Sequence, residues 1–210
     1  MAFPHPLAIS VPLAVAVIAL ELCAPLFAKL FPPLGVTLAI RLLQLGVMLF
    51  SIWKWNPGSA PFATEKAVLK KALMKGFLWS SAFGVVVGVA GLCLMLFGIS
   101  PLDLLGKAPS LTPPQLALLF LTGAFVGPVA EEFFFRGILY GALRPMGMVP
   151  ALAITTLLFA GAHGISGGFP LPQIVGGLLF GAAYEKERHI LVPIVIHVLG
   201  NSALFTLACF

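Results

Sequence analysis

Apolar stretches alternate with short polar, proline- or glycine-rich breaks, and seven of them stand out, at about residues 7–30, 34–53, 76–99, 115–143, 149–163, 171–184 and 190–209. An α-helix rising 1.5 Å per residue needs about 20 apolar residues to cross a hydrocarbon core about 30 Å thick. The pattern therefore predicts an all-α fold: a polytopic transmembrane helical bundle of about seven spans, forming one domain over residues 1–210. The fifth and sixth stretches are short for full crossings. Between them, residues 164–170 read Gly-Ile-Ser-Gly-Gly-Phe-Pro, which would break any helix joining the two. Irregular backbone at that depth survives only where it is buried in protein or lines a wet cavity. No internal repeat and no low-complexity tail is visible.

Composition carries the same message. The 210 residues are 60% hydrophobic and only 9% charged, with a mean hydropathy of +1.09, whereas soluble domains carry about 25% charged residues. The first stretch does not read as a removable secretory signal, because residues 1–10 hold no positive charge and the apolar run is long and contains Glu21.

Sorting the basic residues by loop predicts an orientation. Lys54, Lys66, Lys70, Lys71, Lys75, Arg144, Lys186 and Arg188 fall on one side, and Lys29 and Lys107 on the other. Excess Lys and Arg in short loops stays cytoplasmic, which puts the N-terminus inside and the C-terminus outside. The net charge of +5 thus reports membrane topology, and no aromatic-interleaved basic stripe points to nucleic acid. Residues 62–76, with four lysines among apolar side chains, are expected to form an interfacial amphipathic segment beside anionic lipid, leading into the third span.

Several features read as structural. Cys23, Cys93 and Cys209 lie singly in apolar spans, as small packing residues with no disulfide or zinc spacing. The pairs Gly84/Gly88, Gly123/Gly127, Gly137/Gly141 and Gly177/Gly181 are four apart and would let helices approach closely within the chain. Glu21 and Arg41 are expected to be a structural pair or snorkelling groups, without companions nearby.

The polar cluster in the fourth stretch is different. Glu131, Glu132 and Arg136 lie in the middle of an apolar run, where each charge costs roughly 2.5 to 3.5 kcal/mol on insertion scales, so a cluster persists only if paired and used. Glu132 and Arg136 have the i,i+4 spacing of a helical ion pair, which leaves Glu131 on a neighbouring face. Downstream, His163 closes the fifth stretch, and His197 and Asn201 share a face of the seventh at i,i+4. Glu131 and His163 are each 16 residues from Gly147 in the intervening turn, so two helices leaving that turn carry them to equal depth, about 24 Å. His197, nine residues past Arg188, is also well inside. These groups can converge on one buried pocket in the C-terminal half.

Such a pocket suits peptide hydrolysis. A carboxylate paired with an imidazole can take a proton from water and return it to a leaving amine, while a second imidazole and an amide can donate to a developing oxyanion. A metal version is also sound, with Glu131, His163 and His197 holding one divalent ion such as zinc and leaving a position for water. Asn201, a poor zinc ligand and a good donor, mildly favours the arrangement without a metal. No Gly-x-Ser-x-Gly elbow and no His-Glu-x-x-His helix is present.

Three motifs, Glu131-Glu132-x-x-x-Arg136, Phe159-x-x-x-His163 and His197-x-x-x-Asn201, resemble the CPBP family of intramembrane proteases, which includes type II CAAX prenyl endopeptidases and bacteriocin-processing enzymes. The resemblance covers about residues 114–201, with 114–210 as the catalytic core and 1–113 as N-terminal helices and the basic segment. It implies that Glu131 and His163 activate water, that His197 and Asn201 stabilise the oxyanion, and that Glu132 and Arg136 support the site. The family is also widely described as metalloproteases. The implied partners are the lipid bilayer and a membrane-anchored protein or peptide, such as a CAAX protein, a bacteriocin precursor or a sorting signal, in a prokaryotic cytoplasmic membrane. The alternatives are a proton or ion transporter using the buried carboxylates, or a non-catalytic bacteriocin-immunity protein.

Overall fold

The computed structural model describes residues 7–55, 65–101, 103, 110–163 and 170–209, and among them it is helical with no strand. Seven helices follow in order: α1 (Leu7–Phe27), α2 (Pro33–Trp55), α3 (Lys66–Leu96), α4 (Pro113–Met146), α5 (Met148–His163), α6 (Leu171–Glu187) and α7 (Leu191–Cys209). Five of them, α1 to α4 and α7, are long and apolar enough to cross a membrane, and α5 is a shorter apolar helix. The all-α bundle expected from the hydrophobic pattern is the observed fold. The glycine-rich stretch expected between α5 and α6 lies at 164–169, outside the described residues.

Helix α4 is the hub, contacting α1, α2, α5, α6 and α7, while α3 packs mainly on α7. The basic segment expected ahead of the third span is no separate element from Lys66 onward. It is continuous with α3, whose 31 residues run about 46 Å. That exceeds a hydrocarbon core, so the lysine-bearing turns can stand in the headgroup layer.

Glycine spacing predicts packing at some positions and not others. A Cβ on Gly177 would meet Thr156 Cγ2 at 2.9 Å and one on Gly181 would collide with Leu152 Cδ1, so α5 and α6 do close on each other through that pair. Gly84 and Gly88 face open space instead, with nothing within 4 Å. Cys23 and Cys93 are likewise exposed free thiols and not packing residues, since no helix among the described residues covers the faces of α1 and α3 that carry them.

The α4 backbone is not a regular α-helix. It widens into π-turns at Phe120–Val126 and Phe133–Tyr140, and the α-helical stretch Gly127–Glu132 between them carries both glutamates. Pro128 explains the first widening, since a proline inside a helix has no N–H and its ring crowds the carbonyl four residues back. The Gly127 N–H turns to Thr122 O, so close that a Cβ at Gly127 would sit 2.8 Å from that oxygen. Short π segments are frequent at functional sites.

Candidate active site

Gly147 makes the turn between α4 and α5. Its φ of 112° is open to glycine, and its N–H closes on Arg144 O at 3.0 Å. Two helices leave this turn antiparallel, and His163 Nε2 arrives 3.7 Å from Glu131 Oε1. His197, from α7, brings its Nε2 to 3.7 Å from Glu131 Oε2. Each oxygen of one carboxylate thus faces a different imidazole. Glu131 and His197 are buried, whereas the His163 side chain keeps 32% of its surface exposed.

Hydrogen bonding defines both imidazoles. His163 Nδ1 lies 2.9 Å from Phe159 O; a carbonyl only accepts, so Nδ1 carries the hydrogen. His197 Nδ1 lies 2.8 Å from Glu132 Oε1, and Arg136 Nη1 donates to the same oxygen at 2.8 Å. An arginine-paired carboxylate accepts, so His197 is also protonated at Nδ1. Both Nε2 atoms are therefore lone pairs when the rings are neutral and donors only as imidazolium.

Arg136 and Glu132 are 2% and 0% exposed. Loss of a partner at that depth is costly; Glu132 Oε1 has two donors, while its Oε2 is buried with no hydrogen bond among the described residues. Arg136 Nη2 donates to Gly177 O at 3.1 Å, which ties α4 to α6. Its guanidinium carbon lies 5.2 Å from the ring centroids of both Phe159 and Phe180, which supplies cation–π contact in a dry setting. Phe180 stacks on His197 at 4.4 Å, and Phe159 meets it edge-on at 5.7 Å. Phe159 of α5 and Phe180 of α6 therefore fix ring planes as well as fill volume.

Asn201 stands one turn beyond His197, and its Nδ2 donates to Gly123 O at 2.8 Å. That carbonyl has lost its ordinary donor: the Gly127 N–H is taken by Thr122 O, and the next residue is Pro128, which has none. Asn201 thus satisfies an acceptor that the π-turn leaves open, and one amide hydrogen remains for other use.

Glu131, Glu132, Arg136, His163 and His197 meet across α4, α5 and α7, whereas Asn201, one turn further along α7, is bonded to Gly123 O. Sequence reasoning missed the other wall. A cavity of about 280 Å³ is lined by Glu131 and His163 together with Val17, Glu21, Arg41 and Gln44 from α1 and α2. Arg41 does pair with Glu21, at 2.9 Å, yet it has companions after all: Gln44 Oε1 at 3.0 Å and Glu131 Oε1 at 3.5 Å. The available signal was Gln44, a second polar side chain one turn from Arg41 within an apolar helix.

Unprotonated Nε2 atoms beside a carboxylate are the donor chemistry that a zinc ion takes. Among the described residues, however, no three His, Cys, Asp or Glu side chains are gathered to hold a metal ion. The donor types are those a zinc ion takes, and Glu131, His163 and His197 are the residues that would hold one.

Residues 113–203 match the family model of type II CAAX prenyl endopeptidases, Rce1-like. The chain is 32% identical over 85 residues to the membrane-embedded CAAX protease MroQ of Staphylococcus aureus (strain USA300), a match covering 37% of this chain and 34% of that protein. The chain therefore covers about a third of the length of this curated relative. No solved structure matches.

Proposed function

We propose that the chain, whose residues 113–203 match the family model of Rce1-like type II CAAX prenyl endopeptidases, is an intramembrane endopeptidase that hydrolyses a peptide bond in a membrane-anchored protein or peptide. The observation that carries this reading is one buried carboxylate, Glu131, with both oxygens 3.7 Å from an imidazole Nε2 at the wall of a cavity inside the bundle.

At 3.7 Å neither contact is a direct hydrogen bond, which leaves room for a water to lie against Glu131 and His163 together. In the proposed step the pair takes a proton from that water as its oxygen adds to the peptide carbonyl carbon. The same proton then passes to the leaving nitrogen as the carbon–nitrogen bond breaks, giving a carboxylic acid and an amine. His197 Nε2 can donate to the oxyanion only as imidazolium, a charge for which Glu131 and Glu132 are the counter-ions on either side. The second Nδ2 hydrogen of Asn201 is the other donor.

The test is mass spectrometry of products from a membrane-tethered reporter, incubated with the purified chain in liposomes with and without a chelator. Glu131→Gln and His163→Ala should each lose about 10²- to 10⁴-fold in rate with helix content and detergent unfolding retained. Wild-type cleavage by either variant rejects the reading, and loss of activity on chelation replaces the metal-free version with one in which Glu131, His163 and His197 act as ligands.

A further inference from the structure

Glu21, Arg41 and Gln44 lie outside the family-matched segment, and the reaction above does not use them. They form a closed polar unit between α1 and α2. Arg41 Nη1 and Nη2 meet Glu21 Oε2 and Oε1 at 2.9 and 3.4 Å. Gln44, 2% exposed, accepts from Arg41 Nη1 at 3.0 Å and donates to Glu21 Oε2 and to Val17 O, each at 3.0 Å. Neutralising Arg41 at membrane depth would need only one carboxylate. The buried amide adds something different, since it holds the guanidinium fork in one orientation.

In that orientation Arg41 Nη2 lies 3.5 Å from Glu131 Oε1, the same oxygen that faces His163 Nε2. We propose that Arg41, clamped by Glu21 and Gln44, is a positioning residue for Glu131, so that α1 and α2 complete a site whose other parts come from α4, α5 and α7. Arg41 draws Oε1 toward the cavity and His163, which leaves Oε2 turned to His197. The carboxylate is thereby held in the rotamer in which it bears on both imidazoles. Guanidinium is suited to this because its donors are planar and fixed, whereas an ammonium is a point charge on a flexible stem. The inference rests on Glu131 being the acting carboxylate.

The experiment is steady-state cleavage of the tethered reporter by the full chain as wild type, Arg41→Gln, Arg41→Lys and Glu21→Gln, with detergent unfolding of Arg41→Gln, Glu131→Gln and the double variant. Misplacing a reacting group costs up to about 100-fold, so Arg41→Gln should lower kcat roughly 10- to 100-fold with KM unchanged. Arg41→Lys should fall between it and wild type, and Glu21→Gln should show a smaller loss of the same kind. The unfolding shifts of Arg41→Gln and Glu131→Gln should be non-additive, as for residues in contact. A wild-type kcat in Arg41→Gln, a loss confined to KM, Arg41→Lys no better than Arg41→Gln, or additive unfolding shifts would each overturn the proposal. If the wild type cleaves nothing, the protease reading falls and the positioning role falls with it. Cleavage by the wild type with Arg41→Gln unimpaired overturns the positioning role alone.

Discussion

His197 donates its Nδ1 hydrogen to Glu132 Oε1 at 2.8 Å across 65 residues of sequence. The same oxygen takes Arg136 Nη1, so the second glutamate of the pair ties α4 to α7 while its neighbour Glu131 faces the cavity. Adjacent positions on one helix thereby divide into a group that holds the site and a group exposed to its interior.

Glu132→Gln keeps the shape of the side chain and removes its charge. Breaking a buried ion pair leaves Arg136 uncompensated, at a cost of about 3 to 5 kcal/mol. We expect the midpoint of detergent-induced unfolding to drop steeply, and any folded fraction to cleave slowly because nothing fixes the His197 ring. A variant as stable as wild type would contradict the pairing.

Asn201 and Pro128 should be coupled through a carbonyl that neither owns. Asn201→Ala leaves Gly123 O without its donor, which costs about 1 to 3 kcal/mol when such a group is buried. Pro128→Ala restores a backbone N–H near that oxygen. The cost of Asn201→Ala should therefore be smaller in the Pro128→Ala background, as read from a double-mutant cycle of unfolding free energies.

Glycines with the same spacing should respond oppositely to alanine. Gly177→Ala places a methyl 2.9 Å from Thr156 Cγ2 and 3.3 Å from its Cα, an overpacking that costs about 1 to 3 kcal/mol. Gly84→Ala and Gly88→Ala enter open space and should stabilise by roughly 0.5 to 1 kcal/mol each through helix propensity. Thermal unfolding of the three variants in one detergent decides this.

The end of α6 should carry an acid-sensitive clamp. Glu185, just past the apolar stretch 171–184, accepts from Arg144 Nη2 at 2.8 Å and from Tyr140 Oη at 2.7 Å. Arg144's hydrogen bonds hold the carboxyl below its ordinary value of 4.5. A carboxyl whose folded value is depressed contributes stability that is present above the unfolded value and lost as pH falls through the folded one. The unfolding temperature should therefore decline below about pH 4.5, and this decline should flatten in Glu185→Gln.

Much of this was legible because helical depth is countable. Gly147 marks the turn, and equal counts to Glu131 and His163 bring them level; the i,i+4 spacings set Arg136 beside Glu132 and Asn201 beside His197. The role of Asn201 toward Gly123 O was not legible, since it depends on a π-turn whose consequence is felt 78 residues away. Gly84/Gly88 and Gly177/Gly181 read identically as spacing, and only the faces that the helices turn to one another separate them. Arg41 was read as isolated because spans one and two offer no count that relates them to the fourth.

The sequence by itself determined that the chain is a bundle of apolar helices, that its costly polar groups lie in the C-terminal half, and which of them share a depth or a helix face. These follow from period, length and the price of charge in hydrocarbon, all local quantities. Only the tertiary structure decided that Glu132 orients His197, that Asn201 completes the α4 backbone, and that α1 and α2 bring Arg41 to Glu131. Those contacts depend on the rotation and lateral packing of helices, and lipid-like side chains on every face leave no pattern from which rotation can be read.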